Sequence, residues 1–252
     1  MKKIALITGA TSGIGKATAQ ILASNGYDLI ITGRREMLLN DLAVSIRNET
    51  KADVLSLCFD VRNSTQVEKN IGSLTGKWEN IDLLINNAGL AVGLEPVHSG
   101  VIDDWDRMID TNVKGLLYIS RKISAIMVEK GTGHIINLSS IASHEAYPNG
   151  AAYCASKHAV QAITKAMRIE LLPFGIKVSS ISPGMVDTEF SVVRFKGDKE
   201  RADNFYKGLT PLYAPDIAEA ILFMATRPGH VNIDEILIMP TDQASARDVR
   251  RR

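Results

Sequence analysis

Seven short apolar runs, separated by longer segments of helical periodicity, leave this chain few architectures to choose from. The runs fall at 4–7, 29–31, 54–59, 83–85, 135–138, 178–181 and 236–238. None alternates strictly with polar residues, which is the pattern of strands covered on both faces. Between them, Leu38, Leu42 and Ile46 recur at every fourth position, and Ile217, Ile221 and Met224 follow Pro215 near a helix start. Repeated βα units of this kind predict a doubly wound, Rossmann-like α/β fold: a parallel sheet of about seven strands with helices on each face. No composition shift, linker or internal repeat divides the 252 residues, so a single domain over 1–252 is expected.

One stretch breaks the rhythm. Between Pro183 and Pro215 the chain carries Gly184, Gly197, Gly208 and many charges, which predicts an excursion at about 184–214 with a short helix around 201–207. In open α/β sheets the ligand lies beyond the carboxyl ends of the strands, where such an excursion would cover it as a substrate lid.

Several classes of function are disfavoured. A net charge of +1 makes no field for drawing in nucleic acid or an anionic membrane, and Arg250, Arg251 and Arg252 read as a solvated tail. The apolar stretch after Met1-Lys2-Lys3 stops at Thr8-Gly9, too soon for a signal peptide, and nothing approaches the length of a membrane span. Two cysteines, Cys58 in what reads as a buried strand and Cys154 in a helix, form no disulfide framework, so a reducing, cytoplasmic setting is expected. His98, His134, His144, His158 and His230 show no metal-ligand spacing, and no metal is expected.

The first run leads straight into Thr8-Gly-Ala-Thr-Ser-Gly-Ile-Gly15, after which an amphipathic helix begins. Glycines there let the backbone turn tightly against a pyrophosphate, while the first helical N–H groups face the anion. Gly9, Thr11, Ser12, Gly13, Ile14 and Gly15 are therefore candidate dinucleotide ligands, although the spacing is G-x-x-x-G-x-G. At the end of the second run, where a carboxylate would select NAD, stands Gly33 followed by Arg34 and Arg35. Paired guanidinium groups would grip a 2′-phosphate, so NADP is the expected cofactor. Asp60-Val61 and Asn86-Asn87-Ala88-Gly89 close the third and fourth runs. Asp60 is placed to accept from an adenine amino group, and Ala88 and Gly89 admit close approach. Asp and Asn at such ends also serve simply as turn caps.

Tyr153 and Lys157 stand four apart in a helical segment, so phenol and ammonium share one face. Poising a phenol at neutral pH takes a shift of roughly three units, about 4 kcal/mol. A neighbouring ammonium at reduced dielectric is of that order, which makes Tyr153 a candidate acid and base.

With Asn112, the pair Ser139-Ser140 and Pro183-Gly184 followed by Thr188, these motifs resemble the short-chain dehydrogenase/reductase family over essentially the whole chain. The resemblance implies an enzyme in which Tyr153 exchanges a proton with the substrate oxygen while hydride passes to or from the nicotinamide. Lys157 would lower the Tyr153 pKa and hold the nicotinamide ribose. Ser140, favoured over Ser139 by the family's spacing, would bond the substrate oxygen, as two donors on a developing oxyanion require. Asn112 would hold a relay water, although alone it reads as a cap or a buried structural amide. Val61, Asn87, Pro183, Gly184, Val186 and Thr188 would complete the cofactor's surroundings, and homotetramers are implied.

The stretches 184–190, 193–197 and 239–244 further resemble the branch that uses NADP to oxidise 3-hydroxy acids such as L-serine, allo-threonine or 3-hydroxypropionate. An acid substrate needs a cation, which Arg194 or Lys196 would supply, a solvated loop being the other reading of both. Two further functions are weighed: a general carbonyl or 3-oxoacyl reductase, and a dinucleotide-sensing protein without turnover, which would need no Tyr, Lys, Ser and Asn set.

Overall fold

The computed structural model describes residues 2–252. Seven parallel strands form one sheet in the order β3-β2-β1-β4-β5-β6-β9. They are β1 Lys3–Ile7, β2 Tyr27–Gly33, β3 Val54–Cys58, β4 Ile81–Asn86, β5 Gly133–Leu138, β6 Ile176–Pro183 and β9 Glu235–Ile238. Each expected run lies on a strand, except that the third overruns β3 by one residue, Phe59. The order reverses between β1 and β4, and the carboxyl ends there open the crevice where such folds bind ligands.

Side chains leave the sheet on alternate faces. Ile7, Ile31 and Ile85 pack against α1 (Gly13–Ser24), α2 (Glu36–Glu49) and α9 (Ala214–Ala225), through Leu22, Leu39, Leu42, Ile221 and Met224. Leu6, Ile30, Leu84 and Ile135 pack on the other face against α3 (Ser64–Gly72), α5 (Leu116–Lys130) and α6 (Ala151–Leu171), through Val67, Ile71, Ile119, Ile123 and Met167. At about 1.5–3 kcal/mol for each large apolar side chain removed from water, these two layers hold the helices to the sheet. On α2 the expected Leu42 and Ile46 face the core, joined by Leu39 and Ala43, while the expected Leu38 is 40% exposed. Cys58 lies on a strand as expected but is exposed, because β3 is an edge strand paired only to β2.

The excursion after β6 is more ordered than its composition suggests. It contains β7 (Val186–Asp187) and β8 (Leu212–Tyr213), which pair in parallel, and between them α7 (Glu189–Arg194) and α8 (Lys199–Tyr206). The latter starts before 201 because the Asp198 carboxylate caps it, accepting from the Arg201 N–H at 2.9 Å.

Residues 250–252 are exposed, as expected of a tail, but they are also fastened to the body of the protein. The chain doubles back through an antiparallel bridge between Gln243 and Val249, and Arg250 donates to the buried Asp242 carboxylate with Nε at 2.8 Å. The Arg252 N–H reaches the Gly208 carbonyl at 2.7 Å, and the Arg251 guanidinium reaches the carbonyls of Phe205 and Lys207. Those carbonyls terminate α8, where a cation is favoured by the unpaired C=O groups. Among the described residues no helix is long and apolar enough to cross a membrane.

Candidate active site

A cleft of about 670 Å³ runs along the carboxyl ends of β1 through β6 and continues beneath the excursion. Its floor begins at the glycine loop. Gly9 has φ +67°, and a Cβ there would lie 2.9 Å from the Ala88 Cα. Gly13 has φ +52° and would crowd Thr188 at 3.2 Å, so this loop accepts no larger residue at either position. Ser12 makes no side-chain cap on α1 and the first turn holds no acid, leaving its N–H groups free for an anion. Asn87 braces the loop, its Nδ2 donating to the carbonyls of Thr8 (2.8 Å) and Gly9 (3.0 Å). Thr11, Ser12, Ile14, Val61, Ala88, Gly89, Pro183, Gly184, Val186 and Thr188 line the cleft, and Gly15 does not, its missing side chain making room for Asn87 and the Gly9 carbonyl.

Arg34 and Arg35 line the adenosine end. Arg34 is the freer, 57% exposed and 3.8 Å from Asp60. Arg35 is already engaged, donating to Thr11 Oγ1 (2.9 Å), Ser12 Oγ (2.7 Å) and Glu189 Oε2 (2.9 Å). Asp60 also carries a bidentate partner that the sequence did not suggest, Arg62, at 2.7–3.1 Å. Burial works against the Asp60 anion, yet Arg62 and Arg34 hold its carboxyl below the usual range. The arrangement fits a dinucleotide with a 2′-phosphate: free helical N–H groups for a pyrophosphate, and cations with no unpaired carboxylate beyond it.

At the other end α6 presents Tyr153 and Lys157, both buried. Burial pushes the Tyr153 phenol up, while Arg194 and a hydrogen bond with Ser140 pull it back. Burial lowers the Lys157 ammonium to about 8, and its Nζ donates to the Leu138 carbonyl at 2.9 Å. Lys157 Nζ lies 5.9 Å from the Tyr153 ring centroid, whereas the Arg194 guanidinium carbon lies at 5.1 Å. The nearer cation on the phenol is therefore Arg194, where the spacing alone pointed to Lys157. Both serines of the pair line the cleft, and Ser140 is the one that holds the Tyr153 phenol down against burial.

Asn112 does not line the cleft. It sits in a π-turn, Asp110–Gly115, between α4 (Ile102–Ile109) and α5, and its amide is committed to Leu90 and Ser156: Oδ1 accepts from the Leu90 N–H, and Nδ2 donates to the Leu90 carbonyl and Ser156 Oγ, all at 2.8–3.0 Å. Both amide hydrogens are thereby used, so any relay water would meet the second Oδ1 lone pair or main chain rather than a free N–H.

The two candidate cations of the excursion part company. Arg194 turns into the cleft, donating from Nη2 to Tyr147 Oη at 2.8 Å, its Nε buried without a partner. Lys196 points away and pairs with Asp104 at 2.6 Å, outside the cleft. Sequence reasoning missed Tyr147, whose phenol burial pushes well up; Phe190, packed edge-on to Tyr153 at 5.9 Å; and Ala246 with Arg247, which the folded tail brings to the cleft wall. Only the aromatic character of Tyr147 so close to Tyr153 offered a hint.

A doubly wound sheet whose crevice joins a glycine loop to a buried Ser, Tyr and Lys cluster defines an oxidoreductase of the dinucleotide-binding class. The chain belongs to the short-chain dehydrogenase family, whose model matches residues 3–199. It is 44% identical over 244 residues to the NADP-dependent 3-hydroxy acid dehydrogenase YdfG of Salmonella typhi, covering 96% of this chain and 97% of that one. It is 42% identical over 245 residues to sulfoacetaldehyde reductase 2 of Chromohalobacter salexigens, covering 97% and 96%. Among solved structures, the closed form of a serine dehydrogenase complexed with NADP+ superposes with a TM-score of 0.93 at 40% identity, over 99% of this chain and 100% of that one.

Proposed function

We propose that the protein is an NADP-dependent dehydrogenase acting reversibly on small acids whose hydroxyl or carbonyl carbon lies one carbon from the acid-bearing centre. L-Serine, allo-threonine and 3-hydroxypropionate are of this kind. The observation that carries the reading is Arg194: a guanidinium held in the cleft by Tyr147, beside Tyr153, with a buried Nε that has no partner. An orphaned buried donor is costly, and an anionic head group would satisfy it. The names of the two relatives support this, one a 3-hydroxy acid and the other a sulfonate-bearing aldehyde, since both put an anion at similar distance from the reacting carbon.

Bound NADP+ supplies the acceptor for hydride, and NADPH the donor. The glycine loop and the start of α1 would hold its pyrophosphate, Arg34 and Arg35 its 2′-phosphate, and Lys157 its nicotinamide ribose. In oxidation the Tyr153 phenolate takes the proton of the substrate hydroxyl, and in reduction the phenol returns it. Ser140 donates to the same oxygen and stabilises the charge that develops there. Arg194 and Tyr147 fix the acid group, and so aim the reacting carbon. A homotetramer built on the long helices, including α6, goes with the reading.

The test is initial rate by nicotinamide absorbance, with NADP or NAD, across L-serine, 3-hydroxyisobutyrate, 3-hydroxypropionate and matched alcohols lacking the carboxylate. Activity should be confined to NADP and the acids, and Arg194→Met should lower kcat/KM for the acids by about 100-fold while barely changing the alcohols, as expected for a charge-assisted contact. Equal rates with uncharged alcohols would move the function to a general carbonyl or 3-oxoacyl reductase, for which the apolar walls at Leu94, Phe190 and Val193 are suited.

A further inference from the structure

We propose that Lys196 and Asp104 form a latch that holds helix α7 across the cleft, making Lys196 a positioning residue for Arg194. The inference rests on the acid-substrate reading and says how the acid-binding guanidinium is kept in place.

Helix α7 is six residues long, too short to be stable by its own hydrogen bonds. It is fastened at both ends. At its first residue, Glu189 pairs with Arg35, which also grips Thr11 and Ser12 of the glycine loop. At its last, the Arg194 carbonyl accepts from the Gly93 N–H at 3.0 Å, and two residues on Lys196 Nζ meets Asp104 Oδ2 at 2.6 Å. The backbone is bent to allow this. Lys196 has φ +55° and Gly197 +94°, so a non-glycine residue occupies the left-handed region at the point where the chain turns its ammonium toward α4. Gly93 also has a positive φ, +73°, and a Cβ there would collide with Glu95 Oε2 and come within 2.8 Å of Asp104 Oδ2, so its lack of a side chain leaves room for both carboxylates beside Lys196.

The pair is asymmetric. Asp104 is 5% exposed, its Oδ2 makes no hydrogen bond, and its cations are Lys196 at 2.6 Å and Arg107 at 3.9 Å, so the carboxylate is held by charge and leans most on Lys196. Lys196 is 46% exposed and loses little on returning to water. Such a contact fastens without welding: it can release α7 for substrate entry and close again. Arg194 moves with it, since its own carbonyl is the neighbouring fastening.

The experiment uses the full-length enzyme with saturating NADP+. Lys196→Ala should raise KM for the hydroxy acid about fivefold to tenfold, leaving kcat and the KM for a neutral alcohol within about twofold, because only Arg194 is displaced. Amide hydrogen exchange in 189–197, read by mass spectrometry, should accelerate at least about fivefold, and Lys196→Arg should restore both quantities. Asp104→Asn should reproduce the effect, with the double variant no worse than either single. Should the buried Asp104 variant fail to fold, the exposed Lys196 variants still decide. Unchanged exchange in 189–197 would overturn the latch. Faster exchange with an unchanged acid KM, or with an equal rise for the neutral alcohol, would overturn the positioning of Arg194. If the parent enzyme shows no preference for acids, the functional reading falls by that result, and the exchange measurement judges the latch separately.

Discussion

Where β1, β2 and β4 end, the cleft wall is mostly main chain: a glycine loop, free helical N–H groups and an asparagine whose amide holds carbonyls. Where β5 and β6 end, the wall is side chains carried in from separate segments, with Ser140, Tyr147, Tyr153, Arg194 and Arg247 meeting only in the fold. The first kind of wall recognises what every dinucleotide shares, and changing it means changing the backbone. The second can be re-specified one side chain at a time, which fits a scaffold whose relatives carry different substrate names.

The sharpest way to test that division is Tyr153→Phe. Removing one hydroxyl from the side-chain wall should cut turnover by about 1,000-fold, in the range of a lost general acid and base, while cofactor Kd by fluorescence titration stays within about twofold. A comparable loss of cofactor affinity would show that the two walls are not separable.

Lys157 belongs to both walls, and its charge opposes folding. Burial lowers it to about 8, below its unfolded value, so the folded protein is penalised whenever the ammonium is charged. Stability should rise as pH climbs from about 8 toward 10.5 and stay depressed below 8. Lys157→Met should abolish that rise and gain about 2–3 kcal/mol at pH 7 in urea unfolding without cofactor, at the expense of turnover. A variant with the parent's pH profile would place the penalty elsewhere.

A smaller effect probes the main-chain wall at its edge. Replacing Arg34 and Arg35 together with alanine should raise KM for NADPH by about 20-fold and for NADH less than about threefold, as befits partly exposed phosphate contacts. Equal changes would mean that these arginines do not read the 2′-phosphate.

The same contrast explains what could be read in advance. The seven strands and the glycine loop are local, each written in a few consecutive residues whose periodicity or lack of side chains has one physical use. On α2, Leu42 and Ile46 face the core as their spacing predicts, but Leu39 takes the place expected of Leu38, because the two are equally apolar and only packing decides which faces in. Arg194 and Lys196, two apart, looked equivalent, and the left-handed turn at Lys196 that sends them to opposite sides has no signature in a lysine. Tyr147 acquires its part from Arg194, and Arg250 of the tail from the buried Asp242, contacts that local sequence does not display.

The π-turn at Asp110–Gly115 makes the site dependent on a residue count as well as on residue types. A π-turn is one residue too many for a regular helix. Deleting a single position there would let α4 run into α5 as an uninterrupted helix, with the buried faces on each side still in register. Asn112 would then lose the widened turn from which it clamps Leu90 and Ser156, behind Tyr153 and Lys157. Such a deletion is expected to slacken the seating of α6, the helix that carries Tyr153 and Lys157, and it is a change that single substitutions do not sample.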